Sequence, residues 1–231
     1  MDLKGILFDK DGTLFDFDAT WGLWCRQVLA DLAGEDAALA DRLARSIGYV
    51  PETAQFLPGS PVLADTPDII AARLLGHLTG WTAPTLVAHL NTLAAAAPQV
   101  PVVPLAPLLS GLRARGLALG LATNDAEAPA RAHLAGAGVL GLFDRVIGSD
   151  SGFGGKPAPG PLLAFASQIG LAPAQVAMVG DSAHDLVAAR AAGMVAVAVT
   201  ARAHDPAGLR ALADAVLPDI AALPGWIDGR G

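Results

Sequence analysis

Short apolar runs alternate with stretches of helical spacing over most of the chain. Runs rich in Val, Ile, Leu or Ala predict buried parallel strands at residues 3–8, 117–122, 144–148, 175–179, 194–199 and 214–217. The stretches beside them predict helices at 104–115, 126–136, 160–170, 182–192 and 206–212. This alternation favours an α/β fold with a Rossmann-like, doubly wound parallel sheet that carries helices on both faces.

Residues 17–98 interrupt the alternation. They carry apolar residues at helical spacing and no convincing strand, and turn-forming residues at 48–67 divide them into two helical halves. A proline-rich connector follows at 98–104. The pattern predicts a helical cap domain, inserted after the first strand at 17–98, and a core formed by residues 1–16 and 99–231.

Composition narrows the class of protein. The chain is 53% hydrophobic with a net charge of −7, and it has no basic cluster, which argues against nucleic acid as a partner. No apolar run is long enough to span a membrane, and the acidic N-terminus lacks the layout of a signal peptide. A single cysteine, Cys25, cannot form a disulfide within the chain, which fits a reducing compartment. Its side chain is expected to pack as a small buried hydrophobic residue. These observations predict a cytoplasmic protein, and they do not decide between a monomer and a homodimer.

Polar side chains follow the predicted strands at the points where they end. They are Asp9 and Asp11, Thr123 and Asn124, Lys156, and Asp181 and Asp185. Because ligands of open α/β sheets bind outside the carboxyl ends of the strands, we expect these groups to converge at one edge.

The converging groups have complementary chemistry. Carboxylate oxygens are ligands that Mg²⁺ accepts, while a threonine hydroxyl and a lysine suit phosphate oxygens. Gly12 allows a sharp turn that presents backbone N–H groups to an anion. A cation site beside an anion site predicts phosphoryl transfer, in which positioning and charge stabilisation dominate.

The order of the motifs resembles the haloacid dehalogenase superfamily of hydrolases. The matching segments are Asp9-Lys10-Asp11-Gly12-Thr13, Thr123-Asn124, Lys156-Pro157 and Gly180-Asp181 with Asp185. The insert after the first motif and the Lys-Pro-x-Pro stretch at 156–159 look most like the phosphoglycolate phosphatase-like branch.

This resemblance implies a role for each matching residue. Asp9 would be the nucleophile that becomes an aspartyl-phosphate, and Asp11 would act as general acid and then general base. Thr123, Asn124 and Gly12 would bind the phosphoryl group, with Lys156 offsetting its charge. Mg²⁺ would be held by Asp9, the backbone carbonyl of Asp11 and Asp181, with Asp185 supporting through water or through Lys156.

Other polar and aromatic residues have weaker signals. His184 is expected at the rim of the site, whereas His77, His89, His133 and His204 show no ligand spacing. Trp21 and Trp24 are expected to pack the first helix of the insert, although either could face the substrate. The polar candidates in the insert are Arg26, Arg45 and Tyr49.

The sequence therefore predicts a Mg²⁺-dependent phosphatase for a small phosphomonoester, with phosphoglycolate as the favoured substrate. Three alternatives stay open. A dehalogenase of the same fold would use Asp9 on a carbon centre and need neither Asp11 nor Mg²⁺. A hexose phosphate mutase would use the same motifs. A non-catalytic protein would bind a phosphate ligand without turnover.

Overall fold

A computed structural model describes residues 3–201, 203 and 206–229. The strands in this part of the chain are β1 (Gly5–Phe8), β2 (Tyr49–Val50), β3 (Gln55–Phe56), β4 (Ala118–Ala122), β5 (Arg145–Ile147), β6 (Val176–Gly180), β7 (Val195–Val199) and β8 (Ala215–Leu217). Six of them form one parallel sheet in the order β5-β4-β1-β6-β7-β8. Each predicted strand has its counterpart in this sheet.

The α-helices of the described residues are α1 (Phe17–Ala33), α2 (Ala37–Ser46), α3 (Pro67–Leu75), α4 (Ala83–Ala96), α5 (Leu105–Ala114), α6 (Glu127–Gly136), α7 (Gly160–Gln168), α8 (Ala183–Ala192), α9 (Pro206–Leu212) and α10 (Leu223–Asp228). The sequence pattern does not predict α10, because Pro224 and Gly225 suggest a break. The proline is accommodated because it lies in the first turn, where its missing N–H has no partner to lose. None of these helices is long and apolar enough to cross a membrane.

Both faces of the sheet are covered. Successive side chains of a strand point to opposite faces, and in β1 Ile6 and Phe8 pack with residues of α5, α6 and α10. Leu7 packs on the other face with residues of α7, α8 and α9. The predicted doubly wound α/β fold is therefore confirmed.

Helices α1–α4 form the insert after β1. Seventeen buried residues of this segment, among them Trp24, Leu43 and Leu86, make a hydrophobic cluster of their own. The expectation that the insert contains no strand is wrong, since β2 and β3 pair as a short antiparallel hairpin. Two-residue strands are too short to show the alternation that identifies a strand. The division into a core and a cap domain at residues 16/17 and 98/99 stays a prediction.

The sheet register determines where the site lies. Strand β1 is central, with Phe8 opposite Leu121 of β4 and Val179 of β6. The residues that follow these three positions leave the same edge of the sheet side by side. This edge therefore brings together chain segments that start at residues 9, 122 and 180 and are distant in sequence.

Candidate active site

The centre of the site is a buried lysine between two carboxylates. Lys156 Nζ lies 2.6 Å from Asp9 Oδ1 at the end of β1 and 2.6 Å from Asp185 Oδ1 in the first turn of α8. All three side chains are almost fully buried. Burial lowers the pKa of the lysine, but the two carboxylates outweigh this and raise it above its usual value, so Lys156 stays charged.

Asp185 is completely engaged by the protein. Its Oδ1 accepts from Lys156, and its Oδ2 accepts from the backbone N–H and the hydroxyl of Ser182, which is the N-cap of α8. A Cβ at Gly180 would overlap the Asp185 carboxyl group, so the absence of a side chain there lets α8 approach the sheet closely. Asp185 is thus placed to orient Lys156.

The donor set suits a hard divalent cation. Asp9, Asp181 and Asp185 each offer an oxygen within 4.8 Å of the others. Burial raises the pKa of Asp9 to about 7, a shift that Lys156 opposes and Asp185 reinforces. Burial and the neighbouring Asp9 also raise the pKa of Asp181. A bound cation would offset the cost of keeping these carboxylates ionised, so the residues fit the metal centre that was expected.

Thr123 and Asn124 follow β4, as expected, and both are buried. The hydroxyl of Thr123 accepts from the backbone N–H of Asp125 at 3.1 Å, and Thr123 lines the same cavity as Asp9. The amide of Asn124 donates to the carbonyls of Lys156 and Ala64 at 2.8 and 2.7 Å and accepts from the Lys156 N–H. Asn124 therefore holds the backbone of Lys156, and its phosphate contact stays a prediction.

A cavity that is partly open to solvent lies between this edge of the sheet and the insert. The core contributes Asp9, Asp11, Thr123, Lys156, Asp181 and His184. The insert contributes a mainly apolar wall that includes Phe17, Trp21, Trp24, Val62, Ile70 and Leu90, with Asp65 and Asn91 as its polar groups. An apolar lining with a few converging polar groups is typical of a small-molecule site.

The tryptophans and His184 lie where the sequence predicted. Trp21 and Trp24 pack edge to face, with ring centroids 5.2 Å apart, and both also line the cavity. His184 is at the cavity wall, with Nδ1 3.3 Å from the carbonyl of Ala64. Cys25 is buried, and burial raises the pKa of its thiol, as expected of an unreactive side chain.

The polar candidates of the insert do not reach the cavity. Arg45 pairs with Asp41 at the surface. The Tyr49 hydroxyl donates to the Gly22 carbonyl, and Arg26 is exposed on α1. His204 lies outside the described residues.

Three residues of the site region were missed by the sequence analysis: Lys10, Asp125 and His133, all of them buried or nearly so. A signal existed for Lys10, because Lys4, Lys10 and Lys156 are the only lysines and Lys10 stands between two acids directly after a buried strand. No spacing rule connects it to His133, which is 123 positions away.

Comparisons with known proteins agree with this geometry. Residues 3–193 match the family model of haloacid dehalogenase-like hydrolases. A phosphoglycolate phosphatase from Rhodospirillum rubrum is 32% identical, over 97% of this chain and 90% of the relative. The crystal structure of a predicted phosphoglycolate phosphatase from Haemophilus somnus has a TM-score of 0.74 at 21% identity, covering 97% of this chain and 98% of that one. The L-2-haloacid dehalogenase from Xanthobacter autotrophicus shares the fold, with a TM-score of 0.65 at 20% identity over 99% and 100% of the two chains. Because the family model spans most of the sequence, this chain belongs to the haloacid dehalogenase-like hydrolases and is an enzyme.

Proposed function

We propose that this hydrolase is a Mg²⁺-dependent phosphatase that cleaves a small organic phosphomonoester through an aspartyl-phosphate on Asp9. The observation that carries the proposal is the setting of Asp9. Its carboxylate lies at the end of the central strand, is bonded to Lys156 through Oδ1, neighbours Asp181 and opens on the same cavity as Asp11. This arrangement supplies a nucleophile, positive charge for an anionic substrate and a second acid.

The metal would be held by Asp9, the backbone carbonyl of Asp11 and Asp181, with Asp185 contributing through Lys156. When bound, Mg²⁺ supplies positive charge that lets a carboxylate approach a phosphate and stabilises the charge on its oxygens. Lys156 also supplies positive charge beside the nucleophile, because its ammonium group contacts Asp9.

In the first step, Asp9 attacks phosphorus. Since Oδ1 is bonded to Lys156, Oδ2 is the oxygen we assign to the attack. The bond between phosphorus and the ester oxygen breaks as Asp11 donates a proton to that oxygen, so the alcohol leaves in neutral form. Thr123 and Lys156 hold the oxygens of the transferring group.

In the second step, the roles reverse. Asp11, now a carboxylate, takes a proton from a water molecule that attacks phosphorus from the side of the departed alcohol. The bond between phosphorus and Asp9 breaks, which restores the carboxylate and releases inorganic phosphate. The apolar wall of the insert excludes other water, as lids over active sites generally do.

The alternatives give different products. The shared fold does not separate this chain from a dehalogenase, but Asp11 in the cavity and Asp181 beside Asp9 have no task in an attack on carbon. A mutase would return the phosphoryl group to a sugar, so isomer formation instead of phosphate release identifies it. A non-catalytic binding protein would release no phosphate from any ester in the presence of Mg²⁺.

Phosphoglycolate is the first candidate substrate, because relatives of this chain carry its name. The cavity favours a second candidate class. Among the described residues that line it, Lys156 is the only lysine or arginine, and the insert adds the carboxylate of Asp65. A second negative charge on the substrate would therefore meet repulsion, whereas an alcohol that is neutral and largely apolar fits the wall.

The test is a panel of phosphate esters compared by kcat/KM with and without Mg²⁺. It includes phosphoglycolate, sugar phosphates, nucleotides, and uncharged alkyl and aryl monoesters. The proposal requires Mg²⁺-dependent phosphate release from at least one ester. Phosphate release without Mg²⁺, or none from any ester, would contradict it.

Replacing Asp65 with asparagine tests the role of the insert wall. Repulsion between two charges across such a cavity is on the order of 1 kcal/mol, so kcat/KM for phosphoglycolate should rise about fivefold. The value for ethyl phosphate, which has no second charge, should stay within about twofold. An equal change for both esters would show that Asp65 does not sense the charge of the leaving group.

Replacing Gly12 with alanine should weaken the metal centre. Gly12 has a φ of 77°, and a Cβ there would overlap the carboxylate of Asp181. Displacing a ligand in this way should weaken Mg²⁺ binding about tenfold or more, measured as the Mg²⁺ dependence of activity and of the thermal midpoint. Gly138→Ala is the matched control, because Gly138 has a φ of 71° with nothing within 4 Å of its Cβ position. Equal Mg²⁺ affinity in both variants would argue against Asp181 as a ligand.

A further inference from the structure

Lys10 is a fully buried lysine that the steps above do not use. Its Nζ lies 2.9 Å from both carboxylate oxygens of Asp11, 3.1 Å from His133 Nδ1 and 3.5 Å from Asp125 Oδ2. The ring of Trp21, from helix α1 of the insert, lies 5.0 Å from the same atom. The ammonium thus has hydrogen-bond acceptors in Asp11 and His133, and Asp125 adds an ion pair at longer distance.

The hydrogen-bond direction at His133 follows from its partners. Nε2 lies 2.7 Å from the carbonyl oxygen of Ala94 in helix α4, and a carbonyl only accepts, so Nε2 carries the proton. Nδ1 is then a lone-pair acceptor for Lys10. Burial and the nearby lysine lower the pKa of His133 to about 4, which agrees with a neutral ring. A continuous chain of hydrogen bonds therefore runs from the insert to Asp11.

A charged side chain at this position has a cost that an apolar one would avoid. Removing an ammonium group from water is unfavourable, and here two carboxylates and a neutral imidazole are arranged to offset it. Burial lowers the pKa of Lys10, but Asp11 and Asp125 outweigh this and raise it, so the group stays charged. The partner held most closely is Asp11, which has an oxygen pair at equal distances and lines the cavity.

From this geometry we infer that Lys10 is a positioning residue for Asp11. Its ammonium group fixes the direction of the Asp11 carboxyl group and stabilises the carboxylate that forms when the proton passes to the leaving-group oxygen. The contact through His133 to Ala94 makes that direction depend on the seating of helix α4. The inference rests on the proposed function, because it concerns the proton transfer assigned to Asp11. Trp21 closes the remaining side of Lys10 from the insert.

The test uses Lys10→Met, which keeps the length of the side chain and removes the charge. Two substrates separate the steps: an alkyl phosphate needs a proton on its leaving oxygen, whereas p-nitrophenyl phosphate releases a stable anion without one. In the variant, kcat for ethyl phosphate should fall about 100-fold, the typical contribution of a general acid. The first turnover on p-nitrophenyl phosphate should stay within about fivefold of the original enzyme. A burst of one p-nitrophenolate per chain should then precede slow turnover, because Asp11 is also the base of the second step.

Controls separate positioning from damage to the fold. Lys4→Met removes an exposed lysine at the opposite end of β1 and should leave both reactions unchanged. His133→Gln can donate to Ala94 and accept from Lys10, so it should retain most of the ethyl phosphate activity, while His133→Leu should show the selective loss. If Lys10→Met does not fold, the comparison of His133→Gln with His133→Leu tests the positioning role of Lys10.

Equal losses on both substrates in the first turnover, or equal behaviour of His133→Gln and His133→Leu, would overturn the positioning role while leaving the phosphatase proposal intact. If the unmodified enzyme releases phosphate from neither ester, the proposed function itself fails. The two failures are therefore distinguishable.

Discussion

Asp9→Asn should abolish turnover, with a loss of about 10⁴-fold or more, because no covalent intermediate can form without the carboxylate. The substitution keeps the shape of the side chain, and the amide oxygen can still accept from Lys156. Burial already disfavours the charged form of Asp9, as its pKa of about 7 indicates, so the variant should be at least as stable as the original protein in the absence of Mg²⁺. Activity and the thermal midpoint are measured on the same preparation.

Asp41→Asn provides the matched control for this substitution. Asp41 is exposed in the insert and pairs with Arg45 at the surface, so its replacement should change neither activity nor stability measurably. If Asp9→Asn turns over at the original rate, the nucleophile lies elsewhere and the assignment of the site is wrong. If Asp9→Asn loses both its activity and its folded structure while Asp41→Asn keeps both, the loss of activity reflects unfolding.

Lys156→Met should lower both activity and stability. It leaves Asp9 and Asp185 buried without their cation, and breaking a buried ion pair from one side typically costs about 3–5 kcal/mol of unfolding free energy. The phosphoryl group would lose a fixed positive charge, and kcat should fall about 10²- to 10³-fold. The measurements are urea unfolding and steady-state kinetics, with Lys4→Met as the control.

The loss of unfolding free energy in Lys156→Met should depend on pH in one direction. Burial raises the pKa of Asp9 to about 7 and Lys156 opposes this shift, so without the lysine Asp9 would hold a proton in the folded state that the unfolded state releases. Stability then falls as the pH rises between the unfolded and the folded pKa values. The difference in unfolding free energy between the variant and the original protein should therefore be larger at pH 8 than at pH 5. A difference that is larger at pH 5 would contradict the assigned ion pair.

The parts of the fold that the sequence predicts are those where local pattern and tertiary role coincide. Strands β1, β6 and β7 are buried along their entire length, so continuous apolar runs identify them. The hairpin of β2 and β3 has two residues in each strand and no pattern that could reveal it. Helix α10 was missed because Pro224 and Gly225 are local breakers, whereas packing of Leu223 against the core stabilises the helix.

The candidate site divides in a similar way. Asp9, Thr123 and Asp181 follow strands that are neighbours in the sheet, so topology alone predicts their convergence. The network of Lys10, Asp125 and His133 depends instead on which way each side chain turns after its strand or along its helix. Those directions are decided by packing between the insert and the core, including the contact of His133 with Ala94. The spacing of residues along the chain does not predict such a contact.

The substrate is determined by the same kind of information. In the proposed function, the strand-end residues carry the reaction at phosphorus, and the insert wall selects the alcohol. Its aromatic and aliphatic side chains and the carboxylate of Asp65 became visible as a surface only once α1, α3 and α4 were placed over the sheet. The resemblance implies phosphoglycolate, and the wall gives a physical reason to compare it with uncharged monoesters.

In the proposed mechanism, Asp9 carries the phosphoryl group between the two steps. To test this, the enzyme is mixed with Mg²⁺ and a phosphate ester that it hydrolyses, and the reaction is quenched rapidly in acid. The peptide that contains Asp9 is then analysed by mass spectrometry. We predict one phosphoryl group on Asp9, stable in acid and released by mild base, and none on Asp9→Asn treated in the same way. Phosphate release by an enzyme that never carries this group, or a phosphoryl group on any other residue, would exclude Asp9 as the nucleophile.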